Sequence, residues 1–153
     1  MRFRFLFYFS LLLALSGVGY YFLVSSSYQN SVKAKMHYML GEYKLAYKLA
    51  KQAHEQDRYN RMAATVMAHS TLALEYIDFI DTAKEYKRKI TMITKKAHIE
   101  RPDRLRMKFM AEIIMERYPK LTRSGLIDQS LMDEAKSIYE TFKQVHENVI
   151  KSL

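Results

Sequence analysis

Residues that permit tight turns are very scarce in this chain, and this scarcity limits its possible folds more than any other feature. The 153 residues include only four glycines and two prolines. A β-sandwich, a barrel or a doubly wound sheet needs a turn signal about every ten residues. The sequence therefore predicts an all-α fold.

Cysteine is absent from the sequence. This absence excludes a disulfide framework, a thiolate zinc site and a cysteine nucleophile. The length predicts one domain, preceded by an N-terminal segment of different character.

That N-terminal segment, Phe5 to Val24, runs for twenty residues without a charge. A helix rises about 1.5 Å per residue, so the run predicts a transmembrane helix across a hydrocarbon layer of about 30 Å. Arg2 and Arg4 stand before it and predict a cytoplasmic N-terminus, because basic flanks are retained on that side. Residues 1–25 are thus predicted to be a signal anchor. Residues 26–153 are predicted to form an extracytoplasmic domain of a single-pass membrane protein, periplasmic if the organism is bacterial.

Two other interpretations of the segment remain open. A cleavable signal peptide would use Leu6 to Leu15 as its apolar stretch, with Ala14 and Ser16 at the cleavage site. The continuation of the apolar run to Val24 counts against it. A buried helix of an ordinary domain is disfavoured because no polar face interrupts the run.

Apolar residues beyond Val32 recur at spacings of three and four, which is typical of amphipathic helices. Gly41 ends the first helix, Asn60 is a candidate N-cap, and Pro102 favours a helix start. Six helices are predicted, at about Tyr28–Leu40, Glu42–Gln56, Arg61–Glu75, Ile77–His98, Asp103–Tyr118 and Ser130 to the C-terminus.

A repeat-like pattern occupies the segment from Ser27 to Asn60. Its residues are Gly41, Tyr43, Ala46, Ala50, Ala53, Asp57 and Asn60. This spacing resembles the second half of a tetratricopeptide repeat, in which glycine permits the turn and alanines let two helices approach. In the first helix, Asn30, Lys33 and Ala34 replace the family's large aromatic and Leu-Gly positions, so the resemblance is clear for one hairpin.

The resemblance implies a stack of about three antiparallel hairpins with a concave surface for peptides or protein partners. Tyr43, Tyr47 and Tyr76 are the predicted partner contacts on that surface. Partners in or at the same membrane are expected, and a homo-oligomer is compatible with such a stack.

Positive charge is concentrated in one segment, Lys84 to Lys108. It contains ten lysines and arginines against three acidic residues, within a chain of net charge +9. The predicted basic patch comprises Lys84, Lys87, Arg88 and Lys95. It is interpreted either as a solvated helix face or as a docking patch for an acidic partner segment or anionic lipid. Nucleic acid is a weaker alternative because no recognisable binding motif is present.

Catalytic and metal-binding patterns are missing from the sequence. None of the five histidines belongs to an HExxH motif or follows a glutamate by three residues. Glu112 and Glu116 lie one helical turn apart, but ion pairs with Lys108 or Arg117 explain them more simply. No cofactor, metal site or enzymatic activity is predicted.

The leading functional hypothesis is a membrane-anchored protein–protein interaction module that scaffolds an envelope complex through a helical-repeat surface. The alternative is a helical domain that docks on anionic lipid or nucleic acid through residues 84–108.

Overall fold

The computed structural model describes the backbone of residues 2–152 and all side chains in that range except those of residues 2–6, 18, 21–24 and 152. Within these residues the chain forms six α-helices and no strand, which confirms the all-α prediction. The helices are α1 (Arg2–Val24), α2 (Ser26–Met39), α3 (Tyr43–Gln56), α4 (Arg61–Thr94), α5 (Arg101–Arg117) and α6 (Gln129–Ser152).

The predicted transmembrane helix over Phe5 to Val24 is wrong. Across the described residues, no helix combines the length and the apolar character that a bilayer crossing requires.

The predicted localisation as a single-pass membrane protein with an extracytoplasmic domain is overturned by the same finding. Its orientation depended on Arg2 and Arg4, whose side chains lie outside the described residues. The predictions of a signal anchor and of a periplasmic domain lose their support, because both rested on that span.

Helix α4 is one continuous helix of 34 residues, where the sequence predicts two helices, Arg61–Glu75 and Ile77–His98, with a turn between them. No glycine or proline occurs in α4, so its backbone meets no interruption. Ala73, Tyr76 and Phe79 are all buried, and the packed face passes through the predicted turn. The second hairpin is therefore wrong, and so is the stack of about three hairpins.

The chain divides into two compact units, Met1–Thr71 and Leu72–Leu153. In the first unit α2 and α3 form an antiparallel hairpin. Its turn uses Gly41 at φ +78°, a backbone conformation that glycine adopts without strain. The predicted glycine turn is thereby confirmed.

A hydrogen-bonded cluster joins three helix ends in this unit. We call it the Asn60 junction, made of Asn60, Ser27, Ser31 and Ala53. The Asn60 side-chain amide donates to the hydroxyls of Ser27 and Ser31 at 2.9 and 3.2 Å. The Ser27 hydroxyl donates to the Ala53 carbonyl at the end of α3 at 2.8 Å. The Asn60 side-chain oxygen accepts from the Ala63 amide at 3.1 Å, which confirms the predicted N-cap of α4.

Small residues let the helices of the first unit approach closely. Ala34, Ala46 and Ala50 are fully buried and form one apolar cluster with Val66 of α4. Tyr38, Leu49, Met62 and Met67 pack around this cluster. The buried alanines of the repeat-like pattern thus provide close packing between helices.

The second unit contains the remainder of α4 together with α5 and α6. Its core is centred on Phe79, Ile114 and Phe142, each at most 2% exposed. The Arg117 guanidinium contacts the Asp78 carboxylate at 2.6 Å, and the Lys96 amine contacts Asp103 at 2.6 Å. The last residue of α5 thus pairs with the middle of α4, and the first turn of α5 pairs with Lys96 just after α4, so the two helices run antiparallel.

The start of α6 lies one residue before the predicted start at Ser130. The helix begins at Gln129. The Asp128 carboxylate accepts from the Ser130 backbone amide at 2.9 Å, so Asp128 satisfies an amide of the first turn.

Replacement of Asn60 by alanine should lower the free energy of unfolding by about 2–3 kcal/mol, because it removes a helix cap and leaves the buried Ser27 and Ser31 hydroxyls without this donor. Urea denaturation would measure the loss. Asn148→Ala, at an exposed asparagine, is the control and should change stability by at most about 0.5 kcal/mol. Equal losses in both variants would contradict a stabilising role for the Asn60 junction.

Gly41→Ala should destabilise the protein by about 1–2 kcal/mol, because a side chain at positive φ is strained. Gly125→Ala is a matched control, since a Cβ at either glycine meets no atom within 4 Å and only Gly41 has a positive φ among the described residues. Thermal denaturation of both variants compares them. Equal stability of the two variants would contradict the strain at Gly41.

Candidate functional site

Tyr43 and Tyr47, two of the predicted partner contacts, lie one turn apart on α3. The Tyr43 ring is 8% exposed and packs edge-on against the Tyr38 ring, with 5.3 Å between the centroids. Tyr47 is half-buried. Of this pair, Tyr47 therefore offers more surface to a partner, whereas Tyr43 stabilises the hairpin.

Tyr76, the third predicted contact, lies in the second unit and is 3% exposed. Its hydroxyl donates to the Thr122 carbonyl at 3.2 Å, which ties the loop before α6 to α4. Burial raises the pKa of the Tyr76 phenol, and the nearby Tyr118 acts in the same direction. The ring thus packs inside the unit and offers a partner almost no surface.

The predicted basic patch is partly neutralised by its surroundings. The Lys84 amine contacts the Glu134 carboxylate of α6 at 2.9 Å, and this hydrogen bond raises the pKa of Lys84. Lys95 does not lie on α4 as predicted, because that helix ends at Thr94 and Lys95 falls in the following turn. The four basic residues therefore do not form one helical row.

Several cations of the basic segment make no ion pair with a described carboxylate. Among the described side chains, no carboxylate makes an ion pair with Lys87, Arg88, Lys95 or Arg101. Lys87 and Arg88 are exposed neighbours on α4. These two residues carry the uncompensated charge of the helical part of the segment.

An exposed apolar row on α2, absent from the sequence prediction, is a further candidate surface. We call it the α2 stripe. Val32, Met36, Met39 and Leu40 are exposed by 38, 59, 76 and 71%. At 3.6 residues per turn, residues 32, 36 and 39 lie opposite the packed row of Ser27, Ser31 and Ala34. The aliphatic side chains of α2 that are larger than alanine thus face outward.

The sequence contains a signal for this arrangement. The packed residues 27, 31, 34 and 38 are spaced by four, three and four, as regularly as the stripe itself. Hydrophobicity alone favours the stripe as the inward face. The small-residue row would have identified the true contact face, because small side chains permit close helix approach.

Helix α1 adds exposed apolar surface to the first unit. Its described large apolar side chains between residues 7 and 20 are each exposed by 48% or more. They are Phe7, Tyr8, Phe9, Leu11, Leu12, Leu13, Leu15 and Tyr20. So large an exposed apolar surface is typical of an interaction site.

The groups considered for catalysis make ordinary surface contacts. Glu112 pairs with Lys108 at 3.6 Å, as predicted, and also contacts the His146 ring at 3.3 Å. Glu116 pairs with Lys120 at 2.7 Å, and this hydrogen bond lowers the pKa of Glu116. In the described part of the chain, no three histidine or carboxylate side chains are grouped as metal ligands.

Comparison with known proteins gives no relative: no protein-family model, curated protein or solved structure matches this chain. The tetratricopeptide-like resemblance of residues 27–60 therefore remains a prediction.

Proposed function

We propose that this protein is a helical protein–protein interaction module and that it binds its partner through the α2 stripe. The observation that carries the proposal is the exposure of the α2 stripe, on α2 and the residue directly after it, while Ser27, Ser31 and Ala34 on the opposite face of the helix are buried. The free energy falls when a partner removes a group of exposed apolar side chains from water, and this favours binding.

The chemistry of the α2 stripe suits binding. Methionine is unbranched and polarisable, so Met36 and Met39 can adapt to the shape of a partner. Lys33 and Lys35 are also exposed on α2 and provide a polar rim. An apolar centre with a polar rim is the usual composition of a protein interface.

The α2–α3 hairpin holds the α2 stripe in a fixed conformation before a partner binds. The Asn60 junction fixes the start of α2 against the end of α3, and Gly41 closes the other end of the hairpin. A rigid surface loses little conformational entropy on binding, which favours affinity. The resemblance to a tetratricopeptide hairpin agrees with this proposal, since such hairpins bind peptides or proteins.

Met36→Glu combined with Met39→Glu should abolish partner binding while leaving the fold intact, because both side chains are largely exposed. A photoactivatable crosslinker at Leu40, used in native cells, would report binding as a discrete crosslinked product. Lys44→Glu, a change at an exposed residue of α3 outside the stripe and its rim, is the control and should retain that product. Persistence of the product in the double variant would contradict the proposal.

A second candidate function is docking on an anionic surface, either lipid headgroups or nucleic-acid phosphates, through the basic segment. The exposure of Lys87 and Arg88, together with their lack of ion-pairing carboxylates among the described residues, favours it. Such docking would depend on charge and weaken with added salt.

Lys87→Glu with Arg88→Glu should lower affinity for phosphatidylserine vesicles or for a single-stranded oligonucleotide by at least about tenfold, at about 1 kcal/mol per basic residue near a charged surface. Sedimentation with and without phosphatidylserine isolates the contribution of charge, and fluorescence anisotropy measures oligonucleotide binding. Lys44→Glu with Lys48→Glu, an equal charge reversal on α3, is the control. Equal losses in both double variants would contradict a specific role for the segment.

A further inference from the structure

A cavity of 390 Å³ lies at one end of the second unit. Its apolar lining comes from α4, α5, α6 and the loop between α4 and α5: Ile90, Ile99, Met107, Val145 and Val149. Ile90, Met107 and Val149 are at most 7% exposed and belong to the core cluster. The cavity is thus an opening into the core, with walls held by all three helices of the unit.

Thr94, Arg104 and Asn148 complete the lining and give the cavity a polar edge. Thr94 and Asn148 are exposed, which places this edge on the solvent side. The guanidinium of Arg104 donates to the Ile99 carbonyl at 3.1 Å, a contact that helps fix its position beside the apolar wall.

The residues next to the polar edge include more basic than acidic side chains. Lys95 follows Thr94 directly, and Arg101 begins α5; neither makes an ion pair with a described carboxylate. The nearby Asp103 is 6% exposed and paired with Lys96 at 2.6 Å and Arg106 at 3.7 Å. Its charge is therefore already compensated. Glu100 and Glu147 also adjoin the lining residues Ile99 and Asn148, but the basic residues near the edge still outnumber the acidic ones, so the edge favours negative charge.

We propose that this cavity binds a single-chain aliphatic carboxylate, with the chain against Ile90, Val145 and Val149 and the carboxylate at Arg104. A volume of 390 Å³ lies within the range of about 300–1,000 Å³ that is usual for small-molecule sites. Arginine binds carboxylates through paired N–H donors, and the Asn148 amide adds a polar group at the same edge. The site is independent of the α2 stripe, so either proposal can fail without the other.

Titration of the full chain with decanoate, decanol and decylamine would test the ligand chemistry. Methyl NMR signals of Ile90, Val145 and Val149 are the readout, since binding to apolar surface elsewhere leaves them unshifted. Decanoate should bind about tenfold more tightly than decanol, as expected for a charge-assisted hydrogen bond, and decylamine should bind most weakly. Equal affinity of the three compounds, or no shift of these methyls, would overturn the proposal.

Thr94→Phe should block the cavity and reduce decanoate binding at least about tenfold, because the ring would occupy space at the polar edge, through which the ligand enters. Thr91→Phe is the matched control, since Thr91 is exposed on the same helix but does not line the cavity. The variants are compared by the same NMR titration after equal folding is established by circular dichroism. Equal decanoate affinity in the two variants would overturn the site.

Arg104→Gln separates recognition of the carboxylate from that of the chain. Decanoate affinity should fall to about the decanol value, a loss of about tenfold, whereas decanol affinity should stay unchanged. Arg88→Gln, which removes a charge outside the cavity lining, is the control and should retain tight decanoate binding. Equal losses of decanoate and decanol affinity in the Arg104 variant would show that Arg104 does not recognise the carboxylate.

Discussion

The hydrogen bonds made by one side chain, that of Asn60, determine how the first unit is assembled. Its amide reaches Ser27 and Ser31 on α2, its oxygen caps α4, and Ser27 in turn bonds to the end of α3 at Ala53. Polar groups buried at such a contact must find partners, because an unsatisfied donor or acceptor costs about 1–3 kcal/mol. The geometry of the Asn60 junction therefore admits few alternative arrangements of the three helix ends.

This constraint also decides which surface α2 offers to a partner. Because Ser27, Ser31 and Ala34 are turned inward by the junction and by close packing, Val32, Met36 and Met39 must face outward. The inward packing of the small residues of α2 thus explains both the contact with the neighbouring helices and the exposure of the proposed interaction surface. A hydrophobic face that would ordinarily pack in the core is therefore available for binding.

The uninterrupted helix α4 determines how the second unit is arranged. The helix continues past Tyr76, packs against α5 and α6, and ends at Thr94, where the core opens into a cavity beside basic residues. Pairing within the unit compensates part of the positive charge, as at Lys84 with Glu134. The charge that remains is found on α4 at Lys87 and Arg88, and near the cavity edge at Lys95 and Arg101.

The sequence by itself determined the helical class, the turn at Gly41 and the cap at Asn60, because each follows from local backbone chemistry. Tertiary structure decided what local chemistry leaves open: the inward face of α2, the continuity of α4, and the burial of Tyr43 and Tyr76. Two rows on α2 have the same helical spacing, and only the shape and hydrogen bonds of neighbouring helices select between them. The cavity at Arg104 likewise depends on residues from three helices, whose meeting point no local pattern specifies.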